Sequence, residues 1–193
     1  MLDDSNTTNP MSQPSDHLLK IFAAVPVVDR VLDLGGGHQC HAGPLALLGF
    51  DLHVCAVSPD TVAVLREVLT GITGADEAQQ RIAQVPRLDA LGYPDAFFDW
   101  IVAYNVYGTD SAAPTLPDVL AETRRVLKSG GWIYVAVPVQ EEEEDKVGFT
   151  PETLDQTMQR ADFALAEAPA IRETGDRLLL EGIYRRVDAG TSV

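Results

Sequence analysis

The chain is poor in cysteine, in basic residues and in long apolar runs. Only two of its 193 residues are cysteines, Cys40 and Cys55, which excludes a disulfide-rich secreted scaffold and fits a reducing compartment. No stretch reaches the ~20 apolar residues that a membrane-spanning helix needs. The first sixteen residues are polar and acidic, unlike a signal peptide. We therefore expect a cytoplasmic protein.

Positive charge is scarce as well. The chain has 14 lysines and arginines against 29 aspartates and glutamates, a formal charge of −15. Such a surface repels phosphate backbones and anionic lipids, so we expect no nucleic-acid partner and no membrane partner. A small molecule is the expected partner, and the sequence leaves the oligomeric state open.

Strand and helix patterns alternate along most of the chain. Residues 1–14 lack periodicity and are predicted to form a disordered tail, and 15–193 to form one domain. The predicted strands are about 30–34, 52–57, 82–88, 97–104, 132–137, 163–168 and 177–186. Helices are predicted at about 15–25, 59–70 and 116–127 and from Thr150 onward, with a polar loop at 74–80 and a glycine helix stop at 130–131. This order predicts an α/β fold with a parallel sheet covered on both faces, and an antiparallel final pair.

A glycine turn follows the first strand. The run Val31–Leu34 breaks into Gly35, Gly36 and Gly37, and a second apolar run covers 52–57. Strand, glycine turn, helix and strand within about thirty residues form a βαβ unit. Such a turn lets the backbone approach a ligand, and the helix start offers free N–H groups. The pattern predicts a nucleotide-type cofactor site; a tight turn without a ligand is the alternative.

Asp33 makes the motif more specific. The segment V-L-D-L-G-G-G resembles the first motif of class I S-adenosylmethionine-dependent methyltransferases, [VI]-L-D-[LV]-G-x-G-x-G. Later segments are similar to other motifs of that family, in the same order: PDAFFDWIV at 94–102, RVLKSGG at 125–131 and FTPETL at 149–154. The resemblance covers about 28–187. It implies a Rossmann-like, mostly parallel seven-stranded sheet with an antiparallel last strand.

The resemblance also implies S-adenosylmethionine as the cofactor and methyl transfer to a small-molecule acceptor. It places the following residues around the cofactor: Asp33, Gly35, Gly36, Gly37, Val57, Ser58, Leu88, Asp89 and Asn105. Asn105 and Tyr107 are the acceptor-side candidates, and strand-end packing is the alternative role for Tyr107. No catalytic triad is visible, and methyl transfer needs positioning and exclusion of water rather than a protein nucleophile.

Three positions depart from the family pattern. Gln39 replaces the last glycine, and Ala56 stands where the family places the acid that binds the ribose hydroxyls. Arg87 stands where an acid often meets the adenine amine, and Asp89 substitutes for it if the loop is shifted. The alternative function is therefore a non-catalytic or altered-ligand binding protein of the same fold. A nicotinamide oxidoreductase fits less well, because Cys40 occupies the third glycine of G-x-G-x-x-G.

The roles of two further groups of residues remain open. His38, Cys40, His41, His53 and Cys55 have the ligand types of zinc or copper. Their spacing matches no standard zinc motif, so we predict no metal and expect buried neutral side chains. Cys40, at a helix start, carries the hypothesis of a lowered thiol pKa. The acidic run 141–145 either attracts a cationic acceptor or is a solvated loop.

Overall fold

A computed structural model of the chain describes residues 13–36, 40–106, 115–140, 148–174 and 177–188. Within these ranges seven strands form one mixed sheet in the order β3-β2-β1-β4-β5-β7-β6. The strands are β1 (Arg30–Leu34), β2 (Asp51–Ala56), β3 (Ile82–Gln84), β4 (Phe98–Tyr104), β5 (Leu127–Pro138), β6 (Phe163–Thr174) and β7 (Arg177–Arg186). The helices are α1 (Asp16–Phe22), α2 (Ala42–Leu47), α3 (Pro59–Thr73), α4 (Ala75–Arg81), α5 (Leu116–Val126) and α6 (Pro151–Arg160).

The first five strands run parallel, and the last pair closes the sheet in antiparallel fashion. β1 lies between β2 and β4, with Asp33 beside Val54 and Val102. β7 runs antiparallel to both β5 and β6. The predicted seven-stranded, Rossmann-like sheet with an antiparallel last strand is confirmed.

Helices cover both faces of the sheet. Leu65 of α3, Phe22 of α1 and Leu45 of α2 pack on one face, which we call the α1 face. Leu120 of α5 and Met158 of α6 pack on the other, the α5 face. Because strand residues alternate between faces, Asp33 lies on the α1 face with Val31.

Helix ends follow local chemistry. Ser58 caps α3 by accepting a hydrogen bond from the Thr61 N–H at 3.4 Å, with Pro59 in the first turn. Thr115 and Thr150 each take part in a capping box at the starts of α5 and α6. These signals lie within a few residues of sequence, so the helix starts were predictable.

Several local predictions were wrong. Residues 75–81 form α4 rather than a polar loop: Gly74 (φ +93°) ends α3 and the chain restarts as a helix with acids in its first turn and Arg81 in its last. Gly130 and Gly131 lie inside β5 rather than ending a helix, because α5 ends at Val126 and the strand begins at once. β6 also extends six residues beyond its predicted end at 168, to Thr174.

Among the residues that the structure describes, no helix is long and apolar enough to cross a membrane.

Candidate functional site

The glycine turn stands where β1 reaches the carboxyl edge of the sheet. Gly35 and Gly36 have φ of +83° and +73°, a conformation that side chains disfavour. A Cβ at Gly35 would lie 2.6 Å from Val106 Cγ1, and one at Gly36 would lie 2.8 Å from Leu65 Cδ1. A side chain at either position would therefore strain the backbone and displace a packed neighbour, so both positions favour glycine. Gly37, the third predicted cofactor residue of the turn, lies outside the described residues.

Asp33 is the most unusual residue of this edge. Its carboxyl group is fully buried, and neither oxygen has a hydrogen-bond partner among the described residues. Burial raises the pKa of Asp33 to about 7, because the charged form loses its hydration. An unpaired buried carboxylate is costly. The geometry suits a cationic or hydrogen-bond-donating ligand group beside the glycine turn.

The end of β2 offers no charged group where ribose is expected. Ala56 is buried, and its Cβ lies 3.8 Å from the position of a Cβ at Gly36. Val57 is exposed, and Ser58 is engaged as the cap of α3. The predicted places of Val57 and Ser58 around the cofactor stay predictions.

The loop after β3 is held by an internal ion pair. Arg87 donates to both carboxylate oxygens of Asp89, at 2.8 and 2.6 Å, and this pairing lowers the pKa of Asp89. Leu88 is buried beside the turn, with Cδ1 3.6 Å from the Cβ position of Gly35. The structure thus brings Leu88 to the predicted site, while Asp89 already has a partner.

The residues after β4 form the last described part of the candidate site at the carboxyl edge of the sheet. Asn105 adopts φ +50° and donates its N–H to Ala136 O at 2.9 Å. Asparagine tolerates this left-handed conformation better than most residues, and such residues concentrate at functional sites. Val106 contacts Gly35, so β4 and the glycine turn meet here. Tyr107 lies outside the described residues, as does the acidic run 141–145.

The four described residues of the histidine and cysteine cluster lie on two different faces of the sheet. Cys55 lies in the core on the α5 face, and the ring of His53 packs against Tyr93 and Phe98 on that same side. The imidazole of His41 instead lies 3.6 Å from the Cys40 sulfur, and its ring packs edge-on against Tyr104 on the α1 face. The described residues include no group of three or more side chains able to hold a metal ion. His38 is outside them.

The hypothesis of a lowered thiol pKa at Cys40 was wrong. Burial, with a further contribution from the nearby Asp33, raises the pKa of Cys40 to about 12, because the thiolate would be desolvated beside a second negative charge. The helix that follows has only six residues. The site therefore disfavours the thiolate.

We expect both thiols to be inert in the folded protein. Burial also raises the pKa of Cys55 to about 12. Iodoacetamide at pH 8 should modify neither cysteine within an hour, and should modify both at once in 6 M guanidinium chloride, as read by intact mass. Rapid labelling of one thiol in the folded protein would contradict the burial of that residue.

A buried polar network beneath α1 was missed by sequence reasoning. The Ser15 hydroxyl donates to Glu181 Oε2 at 3.2 Å, and the Tyr134 hydroxyl donates to the same oxygen. The Ser15 N–H donates to His41 Nε2 at 3.1 Å, which ties α1 to the segment after the glycine turn. The available signal was the lone acid in the apolar run LLLEGIY.

Comparison with known proteins identifies the family. The methyltransferase domain profile matches residues 32–135, more than half of the chain. No curated protein sequence matches the chain.

Solved structures show the same fold. A Burkholderia thailandensis 1,6-didemethyltoxoflavin-N1-methyltransferase with bound S-adenosylhomocysteine has a TM-score of 0.65 at 18% identity, covering 89% of this chain and 76% of that one. A Methanosarcina mazei S-adenosylmethionine-dependent methyltransferase has 0.67 at 14%, covering 91% and 99%. The [4+2]-cyclase SpnF has 0.65 at 17%, covering 90% and 82%. These likenesses establish the fold, and the profile match establishes that this chain belongs to the methyltransferase domain family.

Proposed function

We propose that this protein binds S-adenosylmethionine and transfers its methyl group to a small-molecule acceptor. The observation that carries the proposal is Asp33, a buried carboxyl group without a partner among the described residues, beside a turn built on Gly35 and Gly36. The α-ammonium group of the cofactor is the partner that this carboxylate lacks. The fit is therefore good at the amino-acid end of the cofactor.

Each part of the edge has a role in this proposal. When bound, S-adenosylmethionine supplies an electrophilic methyl group on a sulfonium sulfur. Asp33 would hold the ammonium group, and Leu88 would pack against the adenine. Asn105 and Val106 would border the space in which the acceptor approaches. Positioning and exclusion of water would then contribute much of the rate enhancement.

The second candidate is a binding protein or an enzyme of another reaction class on the same fold. Ala56 leaves the end of β2 without a carboxylate, and Asp89 is engaged by Arg87. Both features weaken the fit at the nucleoside end. The structural likeness to SpnF, a [4+2]-cyclase, is a reminder that the fold alone does not specify methyl transfer.

Calorimetric titration with S-adenosylmethionine and S-adenosylhomocysteine separates the candidates. Micromolar binding of both is the expected result, and should be followed by incubation with acceptor pools and detection of released S-adenosylhomocysteine. Absence of binding would overturn the proposal. Binding without release in any acceptor pool would favour the second candidate.

A further inference from the structure

A polar cleft of about 410 Å³ opens between the start of α1 and the β6–β7 hairpin. Ser15, His17 and Lys20 line one side, and Ile171 and Arg172 line the other. Arg172 pairs with Leu179 of β7, and Leu179 pairs with Pro138 at the end of β5. The cleft therefore opens at the carboxyl edge of the sheet, the same edge as the glycine turn.

A buried carboxylate lies directly behind the cleft wall. Two of the lining residues, Ser15 and Arg172, contact Glu181 Oε2, the latter at 3.2 Å. Glu181 is 1% exposed, and its second oxygen, Oε1, has no hydrogen-bond partner among the described residues. Oε2 is thus contacted by two residues of the cleft wall, whereas Oε1 has no hydrogen-bond donor among the described residues.

Arg172 is a partial partner for this charge. Its side chain is about one-third exposed, and its Nε lies near Glu181 Oε2 without forming a well-aligned hydrogen bond. The guanidinium group would have to move outward for a cation to reach Glu181; its other carboxylate neighbour among the described residues, Glu167, is held only by a long contact of 3.9 Å. Such a movement opens Glu181 to a group entering the cleft.

The charge of the cleft favours a cation. Asp16 and Glu173 line the cleft and form no ion pair among the described residues, and Lys20 is the lining cation without an ion pair among them. His17 is paired with Glu167 at 3.1 Å. If the charges of Glu181 and Arg172 cancel, the two carboxylates of Asp16 and Glu173 outnumber the single ammonium group of Lys20. The formal charge of −15 on the whole chain adds a field that concentrates cations.

We propose that this cleft is the acceptor subsite and that it recognises the ammonium group of a small organic amine through Glu181. The inference rests on the proposed function, since the cleft is an acceptor site only if the protein transfers a group. It concerns the group that is recognised and leaves open the atom that is methylated. Ser15 connects this subsite to the segment after the glycine turn through His41.

Matched amines and alcohols test the proposal by titration into the ¹⁵N-labelled full chain. The probes are benzylamine, phenethylamine and butylamine, each compared with its alcohol. At least one amine should bind fivefold or more tightly than its alcohol, with shifts concentrated at 13–20 and 171–173. Equal affinities throughout, or shifts elsewhere, would overturn the proposal.

Two variants should act in opposite directions. Glu181→Gln should abolish the preference for the amine, whereas Arg172→Gln should increase it at least threefold by removing the competing cation. Loss of packing alone cannot produce opposite effects. Glu67→Gln, an exposed site on α3, is the matched control and should leave the preference unchanged. Loss of preference in both cleft variants would contradict the assignment to Glu181.

These measurements need no cofactor. Amine binding by a protein that fails to bind S-adenosylhomocysteine would retain the amine site and reject methyl transfer. Cofactor binding without an amine preference would reject the amine subsite alone.

Discussion

Asp33→Asn should make the ligand-free protein more stable at pH 8 while weakening its binding of S-adenosylhomocysteine at least tenfold. The native carboxyl group is buried without a hydrogen-bond partner among the described residues, and its pKa is raised to about 7. Ionising such a group costs about 1.4 kcal/mol per unit of pKa shift, and therefore up to about 4 kcal/mol here. A buried, unpartnered amide costs about 1–3 kcal/mol.

The stabilisation should depend on pH. Because the folded pKa of Asp33 lies above its unfolded value of 3.8, the folded state holds the proton more tightly than the unfolded state. The contribution of Asp33 to stability is therefore fully present below about pH 4 and is lost as pH rises to about 7. Asp33→Asn lacks this pH dependence. Its free energy of unfolding should therefore rise above that of the wild type between pH 5 and pH 8.

Calorimetric melting at pH 5 and pH 8 measures the effect. At pH 8 the melting temperature should rise by roughly 2–10 °C, as a net gain of about 1–3 kcal/mol implies for a chain of this size. At pH 5 the two proteins should differ little. Glu67→Gln is the control for removing one charge from the surface. A variant that melts lower at pH 8 would contradict the unpartnered state of Asp33.

Although Asp33→Asn should be more stable than the wild type, it should bind S-adenosylhomocysteine more weakly. The ammonium group of S-adenosylhomocysteine pairs with the ionised carboxylate, so the wild-type affinity should increase from pH 5 to pH 7 and then level off. A hydrogen bond to a charged group contributes about 1.5–3 kcal/mol, or roughly 10–100-fold in affinity. The variant should bind weakly and without this pH dependence. Unchanged binding would remove Asp33 from the cofactor site.

The sequence predicted the parts of this site that depend on neighbouring residues. Asp33 and Gly35 lie within a single strand-turn pattern, and the positive φ at Gly35 and Gly36 is a conformation for which glycine is the usual choice. The mostly parallel, seven-stranded sheet with its antiparallel last strand followed from the resemblance and from the alternation of elements. Here local propensity and the global fold favour the same structure.

The missed features depend on contacts between distant residues. Glu181 and Ser15 are separated by 166 residues, and the Tyr134 hydroxyl reaches the same carboxylate from β5. An acidic residue in an apolar strand indicates that a buried polar partner exists, but the sequence does not identify which residue it is. The prediction of a lowered Cys40 pKa failed for the same reason. The burial of Cys40 and its nearness to Asp33, which raise that pKa, arise only in the folded chain.

The second large effect should come from Ala56→Asp, which should tighten S-adenosylhomocysteine binding 10–100-fold. The resemblance places a ribose-binding acid at this position, and the structure shows a small apolar side chain there, beside the first turn of α3. A restored charge-assisted hydrogen bond contributes about 1.5–3 kcal/mol. The gain should appear as slower dissociation, since it adds a contact within the complex.

The same substitution should destabilise the ligand-free protein, because the new carboxylate would lie partly buried close to Gly36 and Leu65 without a cation. Titration of Ala56→Asp, Ala56→Asn and the exposed helix control Ala63→Asp separates the causes. If the ribose lies at the end of β2, the affinity should follow the order Asp, Asn, wild type, with the control equal to wild type. If a folded Ala56→Asp variant binds no more tightly than wild type, the nucleoside lies elsewhere, and Ala56 then marks a site shaped for a different ligand rather than one that has lost a single contact.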